Sequence, residues 1–297
     1  MIVAEDAEDL WPRLLAWYSE HSRALPWRED ATTPWGVLVS EIMLQQTPVV
    51  RVEPAWRAWM SRWPTPSALA DATPAEVLRA WDRLGYPRRA LRLREAAVAI
   101  RDDHAGVVPR ESADLLALPG VGGYTAAAVR SFAYGERDAV LDTNVRRVLS
   151  RLLDGVALPA PSLTRAEQQR AWAVLPPDPA TSAAWNIAVM ELGALVCTAR
   201  SPRCEDCPVA EVCAWRTAGY PADAHAARRR TQGFAGTDRQ ARGRLMAALR
   251  DAVEPLAETE LPDWGEKSQR DRALAGLLAD GLIAVTGPQP RYQLPDR

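Results

Sequence analysis

A chain of 297 residues can bury one large core or two. Its apolar share of 47% and charged share of 25% are those of an ordinary globular protein, and no run of about 18 apolar residues exists to form a transmembrane helix. A net charge of −2 gives no global sign of nucleic-acid binding, although a basic face can sit within a neutral total.

The N-terminus, MIVAEDAEDLWPRLL, starts acidic and lacks a basic-then-apolar signal pattern, so the expected compartment is the cytoplasm. Helical patterning follows in WPRLLAWYSEH, PWGVLVSEIMLQQ, PAEVLRAWDRLG, RALRLREAAVAIRDDH and EQQRAWAVL, with apolar residues at i, i+3 and i+4. Short Pro/Gly punctuation separates these segments, so residues 1–219 are read as an all-α domain. Within the second segment Glu41 lies among Leu38, Ile42, Met43 and Leu44. A carboxyl held against such a wall tends to a raised pKa and suits a general acid, whereas an exposed helical face would make it an ordinary solvated Glu.

Residues 111–135, ESADLLALPGVGGYTAAAVRSFAYG, place two amphipathic helical segments around Pro119-Gly120-Val121-Gly122-Gly123. Gly120, Gly122 and Gly123 permit a tight hairpin, and amides opening the second helix can hold a phosphate oxygen. A plain helical corner would carry the same glycines. Asp142 ends the apolar run Ala139-Val140-Leu141 and precedes the helix NVRRVLSRLL. At a helix start an Asp caps amides and stays ionised, whether or not it has any further task. One acid and one anion are what cleavage of a glycosidic bond through an oxocarbenium-like transition state requires.

All four cysteines fall together as Cys197, Cys204, Cys207 and Cys213. They read as one metal site, with zinc and a [4Fe–4S] cluster both open on spacing alone. Residues 220–237 read as a linker. Beyond it, a helix over Arg242–Arg250, a second over Ser268–Asp280 and a hairpin in LIAVTGPQPRYQLP, turning at Gly287-Pro288, make residues 238–297 a small winged-helix-like α/β unit. Its polar groups, Thr286, Gln289, Arg291, Tyr292 and Gln293, fit a phosphate or groove contact better than a lesion pocket, and a packing appendage is the alternative.

Taken together, the motifs Leu25-Pro26-Trp27-Arg28, Ser40-Glu41-Ile42-Met43-Leu44-Gln45-Gln46-Thr47, Leu84-Gly85-Tyr86, Leu118-Pro119-Gly120-Val121-Gly122 and Leu141-Asp142-Thr143-Asn144-Val145, with the cysteine loop, resemble the MutY family of adenine DNA glycosylases. That family lies in the helix-hairpin-helix superfamily that also holds endonuclease III, and the resemblance runs over residues 10–215. It implies a six-helix part over about 34–142, an iron–sulfur part from 1–33 and 143–219, and a [4Fe–4S] cluster on the four cysteines. Glu41 would protonate a flipped adenine and help activate water, Asp142 would stabilise or trap the sugar cation, and Asn144 and Tyr124 would line that site. By the same resemblance Arg23, Trp27, Arg28, Leu44 and Val49 belong to the adenine pocket, while Gln46, Thr47, Leu84 and Tyr86 probe the opposite base and wedge the stack. The implied partner is duplex DNA with adenine opposite 8-oxoguanine or guanine, met by a monomer associated with the nucleoid.

Two rival readings remain: an endonuclease III-like enzyme acting on damaged pyrimidines, and a non-catalytic iron–sulfur DNA-binding protein. The bifunctional sibling places a lysine where Tyr124 stands, and the sole lysine here, Lys267, lies in the tail. Two departures from the family pattern stand out. About 60 residues after the linker are too few for the Nudix-like domain of many members, a shortening that resembles an actinobacterial branch. Ile187 stands where members often place a Glu or Gln that bonds the adenine.

Overall fold

The computed structural model describes residues 9–228 and 233–296. Over these residues the protein is mostly helical, with a small antiparallel sheet near the C-terminus, as the periodicity anticipates. In chain order the helices are α1 (Leu10–His21), α2 (Pro34–Leu44), α3 (Val49–Arg62), α4 (Pro66–Ala70), α5 (Pro74–Trp81), α6 (Arg88–Asp103), α7 (Ser112–Ala117) and α8 (Gly123–Tyr134). After them come α9 (Thr143–Asp154), α10 (Arg165–Ala173), α11 (Pro179–Leu195), α12 (Ala214–Thr217), α13 (Asp238–Asp251) and α14 (Lys267–Ala279).

The boundaries follow local chemistry. Proline opens α4, α5 and α11, where its missing N–H costs nothing. Full capping boxes, Thr73 with Glu76 and Thr164 with Glu167, start α5 and α10. Glycines in the left-handed region, Gly135 and Gly155, stop α8 and α9. The second helix ends at Leu44, short of the Gln46 that its apolar pattern suggests, because Gln46 turns to φ 57° and the Thr47 amide bonds back to the Leu44 carbonyl at 3.2 Å.

The chain divides into two compact units. One comprises Met1–Val37, Arg110–Leu116 and Val121–Arg230. Its core interleaves Leu10, Leu14 and Trp17 of α1, Val145, Val148 and Leu149 of α9, and Trp185, Val189 and Leu192 of α11, all buried. Each such side chain contributes about 1.5–3 kcal/mol by leaving water. The other unit comprises Leu38–Pro109, Ala117–Gly120 and Thr231–Arg297. There α4 packs along α6, and Trp59 stands edge-on to both Trp63 and Trp81 at 4.6 and 5.7 Å.

The glycine-rich turn joins α7 to α8 as expected of a helical hairpin. Only Gly120 is forced: it has φ 79°, and an added Cβ would stand 2.8 Å from the Cβ of Arg92. Gly122 and Gly123 are exposed with open space around them. Strands β1 (Leu256–Ala257), β2 (Ala284–Thr286) and β3 (Arg291–Gln293) form a sheet in the order β1-β3-β2, with Tyr292 paired to Leu256 on one side and Val285 on the other. The hairpin is where its alternation places it, but β1 carries no readable signal because it is two residues long. Of the expected linker, residues 229–232 lie outside the described residues.

Candidate active site and cluster loop

In the first unit, Asp142 is the N-cap of α9. One carboxylate oxygen accepts the Val145 N–H at 2.6 Å and the other accepts the Asn144 side-chain amide at 3.0 Å. Behind Asn144, Arg147 donates to its side-chain oxygen at 2.8 Å, to the Gly193 carbonyl at 2.7 Å and to the Cys197 carbonyl at 2.7 Å. Helix α11 comes this close only because residue 193 is glycine, since a Cβ there would lie 2.7 Å from that of Asn144. A chain of hydrogen bonds thus runs from Asp142 to the first cysteine of the loop. Burial raises the Asp142 pKa above its ordinary value, outweighing the two caps and the Arg147 charge. The cap that the sequence reading expects at Asp142 is present, and burial, the largest effect, works against it. Upstream, the Val140 amide bonds to Asn186, which also donates to Ser131 and to the Asp138 carbonyl. Tyr124 packs beside Ala127, Ala128 and Val140.

Arg23 and Arg28 of the same unit converge on Glu191, a residue that sequence reasoning passed over. Arg23 binds it through its backbone N–H, Nε and Nη2 at 3.0, 2.7 and 2.8 Å, and Arg28 through Nη2 at 2.9 Å. The Glu191 side chain is fully buried, and the two guanidiniums overcome that desolvation to hold its pKa at about 2. Its signal was a lone carboxylate in the apolar run AVMELGALV, the same signal that singles out Glu41. Trp27 is buried next to Arg28, and one nitrogen of Arg28, Nη1, is buried with no hydrogen-bond partner. Ile187 lies one helical turn before Glu191 on α11.

The second unit gathers Glu41, Leu44, Gln46, Thr47, Val49, Leu84 and Tyr86. Glu41 is 5% exposed on α2, where Leu38, Ile42 and Met43 are buried as well. Gln46 and Tyr86 are exposed and hold left-handed backbone, at φ 57° and 47°. Each costs of order 1 kcal/mol and persists only where the surroundings fix it. Arg89 does so. Its guanidinium donates to the carbonyls of Ile42, Met43 and Gln45 at the end of α2, to the Thr47 hydroxyl, and to the carbonyls of Leu84 and Gly85. Thr47 in turn donates to the Leu84 carbonyl at 3.0 Å, while the rings of Trp81 and Tyr86 stand 5.2 and 5.5 Å from the guanidinium carbon. Burial without a carboxylate lowers the Arg89 pKa to about 10.

The four cysteines, none disulfide-bonded, surround a space also lined by Arg151, Val196 and Trp215. Arg151 donates to the Cys197 sulfur at 3.3 Å and to the carbonyls of Thr198 and Ala199, and stacks on Trp215 at 4.4 Å. Burial, with the other three cysteines adding to it, pushes the Cys207 thiol up to about 12, so thiolates here need a cationic centre between them. A cubane, which takes one thiolate per corner, fits such a ring of sulfurs.

Residues 39–173 match the model of the HhH-GPD superfamily base excision DNA repair protein, and residues 197–213, which begin and end on cysteines, match the iron–sulfur binding domain of endonuclease III. A solved thermostable thymine-DNA glycosylase superposes with a TM-score of 0.65 at 27% identity, over 71% of this chain and 97% of that one. Fold and site together define a helix-hairpin-helix base-excision repair protein whose cofactor is a [4Fe–4S] cluster. Two curated relatives narrow the class. An adenine DNA glycosylase of Mycolicibacterium smegmatis is 55% identical over 92% of either chain, and one of Mycobacterium tuberculosis is 53% identical over 95% of this chain and 92% of its own. The chain belongs to the adenine DNA glycosylase family.

Proposed function

We propose that this enzyme removes adenine from duplex DNA, where it stands opposite 8-oxoguanine or guanine, by hydrolysis and without cutting the strand. Glu41, buried on α2, protonates the flipped base and then orients the attacking water. Asp142 faces the cationic sugar, with its oxygens fixed by Val145 and Asn144. Tyr124 and Asn144 line that position. Trp27, Arg28, Arg23, Leu44 and Val49 bound the base, and Glu191 holds the two arginines in place. Gln46, Thr47, Leu84 and Tyr86 meet the opposite base and the stack. Gly120, Gly122 and Gly123 bring backbone amides to a phosphate. Cys197, Cys204, Cys207 and Cys213 hold the cluster, which ties the loop to α9 as a structural clamp.

The observation that carries this reading is the anchored, half-buried Asp142 in a chain whose only lysine, Lys267, lies on α14 of the tail. A lyase needs an amine to form an imine, and Tyr124 has none. Among the described residues no helix is long and apolar enough to cross a membrane. The test is single-turnover excision on matched duplexes bearing adenine opposite 8-oxoguanine, guanine, cytosine or thymine. Fast release on the first two, and little on the others, is expected. Equal rates on all four would contradict the opposite-base reading.

A further inference from the structure

The C-terminal helices have no part in the chemistry above, yet they reach the segment that carries Tyr86. That segment is short and strained, with Asp82 and Tyr86 at φ 42° and 47° on either side of Gly85 at 82°. Arg89 clamps it from the α2 side. The tail supplies a second clamp. From α13, Arg250 donates to the Asp82 carbonyl at 2.5 Å with its side chain only 12% exposed, and Arg239 donates to the Tyr86 hydroxyl at 3.3 Å. At the other end of the segment, Arg88 meets Asp280, the residue that closes α14, at 3.2 Å. Arg242 of α13 holds Asp280 from behind.

The geometry points to the C-terminal unit acting as an intramolecular brace for residues 82–88, one that fixes how Tyr86 is presented and so sets opposite-base discrimination. A wing that gripped DNA would keep its arginines for phosphates. Here Arg250 is buried against backbone and Arg242 is paired, so these two are spent on protein. The side chains facing the segment are also the ones that reach its left-handed residues, where support matters most. This inference rests on the role proposed above for Tyr86.

Full-length Arg250→Met and Asp280→Asn test it, with Tyr86→Ala as the reference. The quantity read is the ratio of single-turnover rates for adenine opposite 8-oxoguanine and opposite guanine, normalised to active enzyme by burst titration. Each tail variant should shift that ratio in the direction of Tyr86→Ala by roughly tenfold, since a displacement of about 1 Å away from the chemistry can cost up to about 10²-fold. The salt dependence of binding should stay as in the wild type. An unchanged ratio overturns the brace, and so does an equal loss on both duplexes with a flatter salt slope, which is the signature of phosphate grip. If Tyr86→Ala leaves the ratio unmoved while the tail variants move it, the Tyr86 role fails and the brace stands through another residue of the segment. Asp280 is partly exposed, so its variant preserves the core and reports even where Arg250→Met does not fold.

Discussion

In the first unit Arg23 and Arg28 close on Glu191 and Arg146 on Glu167, while Arg147 reaches Asp142 only through Asn144. In the second, Arg89 meets none and spreads its donors over five backbone carbonyls and a hydroxyl. The pKa values record the difference. Glu191 is pulled down to about 2 by its arginines, whereas Arg89 itself falls to about 10 because burial finds no counter-charge. Where a site needs fixed charge, this chain pairs ions. Where it needs a turn of unfavourable backbone, it uses the planar fork of one arginine as a multi-point splint.

Removing one carboxylate from each unit should have the largest effect. Glu41→Gln and Asp142→Asn are each expected to slow adenine release by about 10²–10⁴, the usual contribution of such groups, with duplex binding retained. The stability of Asp142→Asn sharpens the point. A folded-state pKa raised above the ordinary 3.8 means that the native state holds the proton more tightly than the unfolded one, so ionisation above that pH costs folding free energy. Asn caps as well as Asp, so the variant should be inactive yet at least as stable at neutral pH, within about 1 kcal/mol. Rate and urea-denaturation measurements on one preparation check both halves.

Glu191→Gln should come next, destabilising by about 3 kcal/mol because two guanidiniums lose their buried partner. The pH dependence has a definite sign. Since the folded pKa falls from 4.5 to about 2, the stabilisation is present above 4.5 and lost as pH drops from there through 2. Acid titrations of unfolding should show this loss in the wild type and lack it in the variant. A wild type whose stability is flat across that window would mean that the pair is not formed.

The comparison between the units also predicts how each tolerates lysine. Arg89→Lys should cost about 2 kcal/mol, since an ammonium cannot span both turns, whereas Arg23→Lys, which loses the two-point fork but keeps a charge facing Glu191 beside Arg28, should cost about 1 kcal/mol. Equal losses in urea denaturation would break the distinction between splint and counter-ion.

Much of this was legible in the sequence where the signal is local. The helices show in their apolar spacing, the hairpin in Gly120 and its neighbours, and the loop in its cysteines. Glu41 stands out as a charge inside an apolar run. What stayed hidden depends on tertiary contact. Arginine supplies 35 of the 36 basic residues, so Arg89, Arg147 and Arg250 look like the many solvated ones around them. Nothing local marks the left-handed turns at Gln46 and Tyr86, because both residue types ordinarily favour other backbone. Burial of Asp142 likewise arises from Asn144, α11 and the loop behind it, whereas the sequence shows only a cap.

The proposed reaction is hydrolysis through Glu41 and Asp142 with no amine involved. Its most direct test follows free adenine and borohydride-trapped enzyme–DNA adduct in one single-turnover reaction on a duplex with adenine opposite 8-oxoguanine. Stoichiometric adenine, an abasic strand left intact, and no adduct above the level of the Asp142→Asn variant are expected. A strong adduct that persists in Lys267→Arg, with the strand cut, would contradict it.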